Sequence, residues 1–332
     1  MAAGGVARRV PFGPWGKTRD PFGRRRTYLG TAIGCREAEK AGAADMPKVA
    51  VTGSSGKLGR HVVRELVRAG WDVVGLDARA RPQEGERSVV VDLSDFGQAF
   101  GALSGVDEVG GAFDAVVHLA AIPAPGLRPD AVTFHSNMTT TYNVFSAAVR
   151  AGVRTIVWAS SETVLGLPFD EAPPYVPVDE EYAPRPNSSY SLCKTLEEEM
   201  ARQLCRWEPE LTMVGLRFSN VMDPEDYAKF PAMQQDPMLR KWNLWGYIDG
   251  RDGAQAVRRA LEYKAKGADV FIIASPDTVM ERPNAELLAA CFPDVPLRKP
   301  VGEHETLLSI DKARELLGYA PQYSWRDPAP TA

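Results

Sequence analysis

The chain has 332 residues, of which 44% are hydrophobic and 25% charged, and its formal net charge is −4. These values are typical of a globular protein with a sizeable core and exclude a fibre or a repeat array. No apolar run reaches the ~20 residues of a membrane-spanning helix, and the acidic balance predicts no nucleic-acid partner, so we expect neither membrane nor nucleic acid. Four scattered cysteines predict no metal site and favour a reducing, cytoplasmic location.

Residues 1–45 differ in charge from the rest of the chain. They hold nine Lys and Arg against four Asp and Glu, which leaves 30 against 39 for the remaining residues. A basic segment with many glycines and little apolar periodicity is expected to be disordered. We therefore expect a basic tail at 1–45 and a folded part that begins at Met46, directly before the first strand.

A glycine-rich turn joins the first predicted strand to the first predicted helix. The apolar run at 49–52 is followed by Gly53, Gly56 and Gly59, and apolar residues then recur at helical spacing. Such glycines let the backbone turn sharply and let a pyrophosphate approach bare N–H groups at the start of a helix. Because a lone glycine triplet also occurs in proteins that bind nothing, the triplet by itself does not establish a dinucleotide site.

A second predicted strand, residues 71–77, ends in an acid about 20 residues beyond the glycines. Asp77 is placed to accept hydrogen bonds from an adenosine ribose. Strand, helix and terminal acid in this order strengthen the prediction of a dinucleotide site.

Strands and helices continue to alternate along the chain. We predict further strands at 88–93, 113–121, 153–159, 212–218 and 270–274, and helices at 99–103, 137–151, 190–206, 253–264, 284–291 and 310–317. This alternation predicts an α/β protein with a doubly wound parallel sheet, the Rossmann fold. We assign 46–218 to a dinucleotide-binding core and 219–332 to a smaller, mainly substrate-binding C-terminal region with segments that return to the core.

Tyr190 and Lys194 lie four residues apart in a predicted helix, which places a phenol and an ammonium on one face. Using tyrosine at neutral pH requires a pKa shift of about 3 units, or roughly 4 kcal/mol, which a close cation and a desolvated cleft supply. Ser161, at the end of a neighbouring strand, is placed to orient a substrate oxygen. The alternative is that Tyr190 and Lys194 merely cover one face of a solvated helix.

In combination, these motifs resemble the extended short-chain dehydrogenase/reductase superfamily and, within it, the NAD-dependent epimerase/dehydratase family. The resemblance extends from about Lys48 to Trp325. The motifs that carry it are, in chain order, Thr52-Gly53-x-x-Gly56-x-x-Gly59, Asp77, Asp92-Leu93, His118-Leu119-Ala120-Ala121, Asn137, Ser160-Ser161, Tyr190-x-x-x-Lys194, Arg217-Phe218-Ser219-Asn220-Val221, 247–252 and 311–321.

The resemblance implies an NAD-dependent enzyme in which Tyr190 is the acid/base, Lys194 binds the nicotinamide ribose and lowers the pKa of Tyr190, and Ser161 positions the reacting oxygen. It implies that Asn137 shapes its helix and holds a proton-relay water. It also implies NAD as the cofactor, since the Asp77 carboxylate would repel the 2′-phosphate of NADP, while NADP stays open because Arg79 and Arg81 are close by. A homodimer through the helices at 137–150 and 188–206 would also resemble the family. The implied cofactor-binding residues are Gly53, Ser55, Gly56, Lys57, Leu58, Gly59, Asp77, Asp92, Leu93, Leu119, Ala120, Ala121, Tyr190 and Lys194, and the implied substrate-binding residues are Ser161, Glu162 and Asn220.

Departures from the family pattern narrow the reaction. The dehydratases carry Thr-Asp-Glu where this chain has Ser161-Glu162-Thr163, so the base for water elimination is missing. The usual Tyr-Gly-Pro is replaced by residues 222–224, and few basic residues come after it, which favours a substrate smaller than a nucleotide diphosphate sugar. Trp242, Trp245 and Tyr247 either stack on a sugar ring or belong to the core, which is the commoner fate of such clusters.

We therefore expect an oxidoreductase that moves hydride between NAD and a hydroxyl or lactol carbon of a small, sugar-like substrate. One alternative is a sugar-nucleotide 4-epimerase, which returns the hydride to the opposite face of the sugar. Another is a non-catalytic dinucleotide sensor, which the Tyr190 and Lys194 pair disfavours.

Overall fold

The computed structural model describes residues 46–79, 81–105 and 112–327, so the predicted basic tail at 1–45 lies outside the described residues. The strands are β1 (Lys48–Thr52), β2 (Asp72–Asp77), β3 (Glu86–Val90), β4 (Ala115–His118), β5 (Thr155–Ser161), β6 (Thr212–Phe218), β7 (Val221–Met222), β8 (Ile248–Asp249) and β9 (Gly267–Ile273). The α-helices are α1 (Lys57–Arg68), α2 (Phe96–Ser104), α3 (Asp130–Arg150), α4 (Ser189–Trp207), α5 (Phe230–Met233), α6 (Gly250–Glu262) and α7 (Asn284–Cys291). Short 3₁₀ turns lie at Glu162–Leu165, Pro224–Lys229, Pro237–Leu239 and Lys241–Asn243, and a π-helical turn at Ala313–Leu317.

Seven of these strands form one parallel sheet in the order β3-β2-β1-β4-β5-β6-β9. The chain builds outward from β1 in one direction as far as β3 and then crosses back to β4. The predicted doubly wound Rossmann fold is confirmed. Because the strand order reverses between β1 and β4, the carboxyl ends of these two strands border the crevice where such sheets bind ligands.

The sheet has a hydrophobic core on each face, and β1 contributes to both. Its alternating side chains send Val49 and Val51 to one face and Ala50 to the other. The first core includes Val62 and Leu66 of α1 together with residues of α6. The second core is built from α2, α3 and α4. Burial on both faces explains why the central strands are almost continuously apolar.

The glycine turn allows α1 to start directly against β1. A Cβ at Gly59 would lie 2.1 Å from the carbonyl oxygen of Gly53 and 2.8 Å from that of Ser54. Gly53 itself has a φ of +68° and approaches the backbone of Ala120 so closely that a Cβ would lie 2.8 Å from its nitrogen. Glycine is therefore required at position 59 for α1 to pack against the turn and at position 53 for the turn to pack against the residues after β4.

Several element boundaries differ from the sequence prediction. β3 ends at Val90, so Asp92 and Leu93 lie in the loop after the strand and not within it. α3 begins at Asp130, seven residues before the predicted start. The prediction missed its first turns because they are largely exposed and therefore carry no apolar stripe. β4 ends at His118 because the next two N–H groups donate to a threonine hydroxyl of β1.

The predicted C-terminal region returns to the sheet in two places, since α6 packs on α1 and β9 forms the edge strand beside β6. Arg258 of α6 joins Glu65 of α1 through an ion pair of 2.7 Å. The helices within the described ranges are too short or too polar to cross a lipid bilayer.

Candidate active site

A cleft of about 1150 Å³ opens at the carboxyl ends of β1, β2, β4, β5 and β6. The loops after these strands and the first turns of α1 and α4 form its walls. The predicted site residues that line it are Gly53, Gly56, Lys57, Leu58, Gly59, Asp77, Asp92, Leu93, Leu119, Ala120, Ala121, Ser161, Glu162, Tyr190, Lys194 and Asn220.

Ser55 lies beside the cleft and fixes the residue that the sequence assigns to the ribose. Its N–H donates to Asp77 Oδ2 at 3.1 Å, and its hydroxyl donates to the carbonyl of Arg79 at 2.9 Å. The N–H of Arg79 donates to the other oxygen, Asp77 Oδ1, at 3.1 Å. Two backbone N–H groups thus hold the Asp77 carboxylate at the mouth of the glycine turn.

The phenol of Tyr190 lies at the centre of the cleft, between Ser161 and Lys194. The Ser161 hydroxyl lies beside the phenol and lowers its pKa, and Lys194 Nζ lies 5.8 Å from the centre of the Tyr190 ring. α4 positions the pair because its N-terminus is fixed by a capping box formed by Ser188 and Ser191. The three side chains named from the sequence therefore meet at one point.

The pKa of Tyr190 is raised, which corrects the expectation that a desolvated cleft helps to lower it, although Lys194 lowers the pKa as expected. Burial of the phenol is the largest cause, whereas the charge of Lys194 and the hydrogen bond from Ser161 act in the opposite direction. Two carboxyl groups, Glu197 and Glu162, raise the pKa of Tyr190 further. The protein thus keeps this phenol protonated at neutral pH.

Lys194 has two strong acceptors besides its proximity to Tyr190. Its Nζ donates to the carbonyl of Ala159 at 2.8 Å and to Glu197 Oε2 at 2.9 Å. An ammonium has three protons, and Lys194 also lines the cleft, so one donor remains for a ligand. Burial opposes the charge of Lys194, but its interactions with Glu197, Tyr190 and Cys193 together raise the pKa of the ammonium.

Glu162 forms a buried acidic group beside Ser161. It accepts hydrogen bonds from Ser219 Oγ at 2.6 Å and from Asn243 Nδ2 at 3.2 Å. Burial raises the pKa of Glu162 to about 7, although these donors and the charge of Arg240 oppose the shift. The cleft therefore carries a carboxyl group that changes its charge near neutral pH.

Asn137 is the catalytic candidate that the structure does not bring to the cleft. It is buried in α3, where its Oδ1 accepts from the N–H of Ile122 at 2.8 Å and its Nδ2 donates to the carbonyl of Ile122 at 3.1 Å. Both ends of the amide are thus used to fix the loop that comes after β4. Its contacts give it a part in shaping the cleft wall.

The aromatic cluster at 242–247 divides between the two fates that the sequence left open. Trp242 lines the cleft, whereas Trp245 and Tyr247 are fully buried in the core.

The cationic side chains after β7 that the sequence offered as diphosphate partners do not line the cleft. Arg240 donates to the carbonyl of Gly246 at 2.7 Å, Lys229 pairs with Asp226 and Lys241 lies over the ring of Phe292.

Sequence reasoning missed two polar residues of α3, Ser136 and Thr140, that line the cleft. Their spacing of four residues places them on one face of the helix, so a prediction that starts α3 at Asp130 would find them together.

Within the described ranges, no group of three or more His, Cys, Asp and Glu side chains is arranged to hold a metal ion.

The model of the NAD dependent epimerase/dehydratase family matches residues 49–274, a span that includes the glycine turn, Ser161, Tyr190 and Lys194. The chain belongs to this family. The family is NAD-dependent, and the matched span runs from β1 to the residue after β9, so it covers the whole sheet.

The curated relatives include both epimerases and a dehydrogenase. The UDP-glucose 4-epimerase of Mus musculus is 31% identical over 219 residues, which cover 61% of this chain and 61% of that protein. The L-arabinose 1-dehydrogenase (NAD(P)(+)) of Haloferax volcanii is 29% identical over 225 residues, which cover 65% of this chain and 83% of that protein. The chain thus spans only about three fifths of the length of the Mus musculus epimerase.

A solved structure of a UDP-galactose 4-epimerase is similar over most of the chain. It matches with a TM-score of 0.61 and 26% sequence identity, and the match covers 83% of this chain and 94% of that one. The extended Rossmann architecture is therefore shared beyond the sheet.

The residues of this chain fit NAD. The N-cap of α1 is Gly56, which provides no side-chain cap, so the first N–H groups of the helix lack a side-chain acceptor there and face the cleft. A pyrophosphate is the kind of anion that such an N-terminus binds. Asp77 lies one strand away with its carboxylate fixed by two N–H groups, in position for an adenosine ribose.

Proposed function

We propose that this protein is an NAD-dependent oxidoreductase that transfers hydride between NAD and a hydroxyl or lactol carbon of a small, sugar-like substrate. The observation that carries the proposal is the meeting of Ser161, Tyr190 and Lys194 in the cleft that begins at the glycine turn. A solvated helix face would leave Tyr190 and Lys194 exposed, but both are buried.

The three side chains divide the proton chemistry between them. When bound, NAD supplies a carbon that accepts or donates hydride. During oxidation the Tyr190 phenolate takes the proton of the substrate hydroxyl, and during reduction the Tyr190 phenol gives its proton to the carbonyl oxygen. Ser161 holds the same oxygen by a hydrogen bond, and the charge of Lys194 stabilises the phenolate.

The cofactor is held by the residues that the sequence assigned to it. We assign the pyrophosphate to the N-terminus of α1 at Gly56 to Gly59, and the adenosine ribose to Asp77. Asp92 and Leu93, in the loop after β3, lie beside the position of the adenine. The remaining N–H of Lys194 is assigned to the nicotinamide ribose.

The charges of the cleft favour a neutral sugar over a sugar nucleotide. Among the described residues that line it, the cationic ones are Lys57 and Lys194, and each has an acidic partner, Asp226 at 2.6 Å and Glu197 at 2.9 Å. Glu162 adds a carboxyl group. A substrate diphosphate or uronate, unlike the NAD pyrophosphate at the N-terminus of α1, would find little compensating charge here, whereas sugar hydroxyls can donate to Glu162 and contact Asn220 and Trp242.

A sugar-nucleotide 4-epimerase is the second candidate, and the similarity to the UDP-glucose 4-epimerase of Mus musculus favours it. The L-arabinose 1-dehydrogenase of Haloferax volcanii favours the first candidate, because the match covers a larger share of that protein. An epimerase returns its hydride and shows no net change in NADH with substrate, so NADH formation separates the two activities.

We further propose a cytoplasmic homodimer. On α3 and α4, Tyr142, Leu192 and Leu196 are exposed apolar side chains, with 54%, 40% and 37% of their surfaces accessible. A paired face of two helices from each copy would cover them. The buried thiols of Cys193 and Cys205 are compatible with a reducing compartment.

The activity is tested by NADH formation with a panel of free sugars, uronic acids and sugar nucleotides. Tyr190→Phe should lower kcat by about 10²-fold or more and leave NAD affinity unchanged, because it removes only the proton-transferring hydroxyl. Tyr263→Phe, which removes a phenol hydroxyl outside the cleft, should leave kcat unchanged. Full activity of Tyr190→Phe would refute the assigned role, and the absence of any NADH with free sugars would refute the dehydrogenase proposal.

A further inference from the structure

A chain of buried side chains leads from the glycine turn towards Lys194. Thr52 Oγ1 accepts hydrogen bonds from the N–H groups of Leu119 at 3.1 Å and Ala120 at 3.2 Å, and it lies 2.8 Å from His118 Nδ1. A hydroxyl oxygen accepts two hydrogen bonds, so its own proton must point towards Nδ1. The proton of the His118 ring is therefore on Nε2.

The direction of the remaining hydrogen bonds is set by that tautomer. His118 Nε2 donates to Thr141 Oγ1 at 3.1 Å, so the Thr141 hydroxyl donates onward to Glu197 Oε1 at 3.1 Å. The other oxygen, Glu197 Oε2, accepts from Lys194 Nζ at 2.9 Å. Both oxygens of Glu197 thus face donors, which is the pattern of a carboxylate and not of a carboxylic acid.

His118 takes part in this chain as a neutral ring. Burial, and to a smaller degree the charge of Lys194, lowers the pKa of His118 to about 3. Burial also raises the pKa of Glu197, while Lys194 and the Thr141 hydroxyl oppose that change. The charge of Lys194 is thus balanced within the protein by one buried carboxylate.

A counter-ion in this position alters the chemistry of Tyr190. An ammonium beside a phenol stabilises the phenolate, and a carboxylate that neutralises the ammonium reduces that stabilisation. With the phenol protonated, Tyr190, Lys194 and Glu197 together carry no net charge. Loss of the phenol proton would leave a net negative charge in a buried cluster, which is unfavourable.

We propose that Glu197 is a positioning residue that acts through Lys194: it fixes the ammonium beside Tyr190 and, as its counter-ion, keeps Tyr190 a proton donor near neutral pH. The inference rests on the proposed function, because it takes Tyr190 as the acid/base group. The Glu197 counter-ion thereby favours reduction, in which the carbon of a substrate carbonyl gains a hydride and its oxygen gains the Tyr190 proton. Oxidation requires that Tyr190 first lose its proton, so it is favoured as the pH rises.

Titratable or charged groups from four elements surround the Glu197 and Lys194 pair. Besides Tyr190 and Lys194, the titratable or charged groups that face Glu197 or its partners from α4, β4, β6 and the turn after β5 are Cys193, Glu198, His118, Arg217 and Glu162. A substitution of Glu197 alone leaves all of these groups in place.

The test titrates Tyr190 in the ligand-free protein by the ultraviolet absorbance of its phenolate, as the difference between each protein and its Tyr190→Phe counterpart. Glu197→Gln removes the charge and keeps the size of the side chain. We expect the phenolate to form at a pH lower by about one unit, and the acid limb of the pH profile for sugar oxidation to move with it. An unchanged phenolate titration would overturn the proposal.

Glu199→Gln is the matched control, because it removes the same charge from the exposed face of the same helix. It should leave the titration unchanged, and a shift equal to that of Glu197→Gln would overturn the proposal. If Glu197→Gln does not fold, Glu197→Asp withdraws the carboxylate by one methylene and should give a smaller shift in the same direction; no shift would again overturn it. A shifted titration without NADH formation from any sugar would support the role of Glu197 and refute the proposed function.

Discussion

Arg217 of β6 and Glu198 of α4 form a bidentate ion pair, with Nε 2.9 Å from Oε1 and Nη2 2.8 Å from Oε2. Both side chains are buried, and Ser160 Oγ donates to the same carboxylate at 2.7 Å. This pair ties the helix that carries Tyr190 and Lys194 to the sheet that carries the rest of the site. The position of α4 therefore depends on it.

Removing one partner of this pair should destabilise the fold strongly. Glu198→Ala leaves the Arg217 guanidinium buried without its carboxylate, and we expect the free energy of unfolding to fall by about 3–5 kcal/mol. Glu199→Ala, one residue on and exposed, should change it by about 0.5 kcal/mol or less. Urea unfolding of both variants measures the difference, and equal values for the two would contradict a structural role for the pair.

Replacing Asp77 should change the choice of cofactor. Asp77→Ala removes a charged acceptor for the ribose hydroxyls, so we expect NAD affinity to fall by about tenfold and discrimination against NADP to weaken. Asp72→Ala removes an acid from the opposite end of the same strand and should leave both affinities unchanged. Fluorescence titration with the two cofactors gives the ratio; an unaltered preference in Asp77→Ala would remove this residue from the ribose site.

The glycine turn should not tolerate a methyl group at its third glycine. Gly59→Ala places a Cβ 2.1 Å from the carbonyl oxygen of Gly53, which is backbone and cannot move aside without displacing the turn. We expect a loss of about 3 kcal/mol or more in stability together with the loss of NAD binding. Gly97→Ala in α2 meets only a side-chain oxygen at 3.1 Å and should be tolerated. Normal cofactor binding by Gly59→Ala would contradict the packing described above.

The buried carboxyl group of Glu162 should make stability depend on pH. Its pKa is about 7 in the folded protein and 4.5 ordinarily, so between these values the folded state keeps a proton that the unfolded state loses. The free energy of unfolding should therefore fall by about 3 kcal/mol as pH rises from about 4.5 to 7. Glu162→Gln removes this contribution, whereas Glu210→Gln, which is exposed, should not. Parallel pH curves for the wild type and Glu162→Gln would refute the assignment.

The sheet and most of the cleft could be predicted from the sequence because they depend on local patterns. Val49 to Thr52, the glycines after them and Asp77 lie within one strand-turn-helix-strand unit, where spacing alone fixes the geometry. Ser161 and Tyr190 come from different elements, but each lies at an end of its element that a parallel sheet brings to the same edge.

The partners of Lys194 could not be predicted in this way. Glu197, Thr141 and His118 come from three different elements, and no repeat or spacing in the sequence shows that they meet. The net rise in the pKa of Tyr190 could not be predicted for the same reason. It comes from burial and from the Glu197 and Glu162 carboxyl groups, and all three depend on tertiary packing. The expected catalytic role of Asn137 differs from what the structure shows, because both ends of its amide bond to Ile122. Helical spacing in the sequence gives no sign of this contact with a loop.

Three consecutive glutamates, Glu197, Glu198 and Glu199, meet three different environments because each residue of a helix is turned by about 100° from the one before it. The first contacts Lys194, the second is clamped by Arg217, and the third lies at the surface. We therefore expect the three positions to vary differently among related proteins. Position 199 should vary freely, and position 198 should change only together with Arg217. Position 197 should change with the pH at which each related enzyme works.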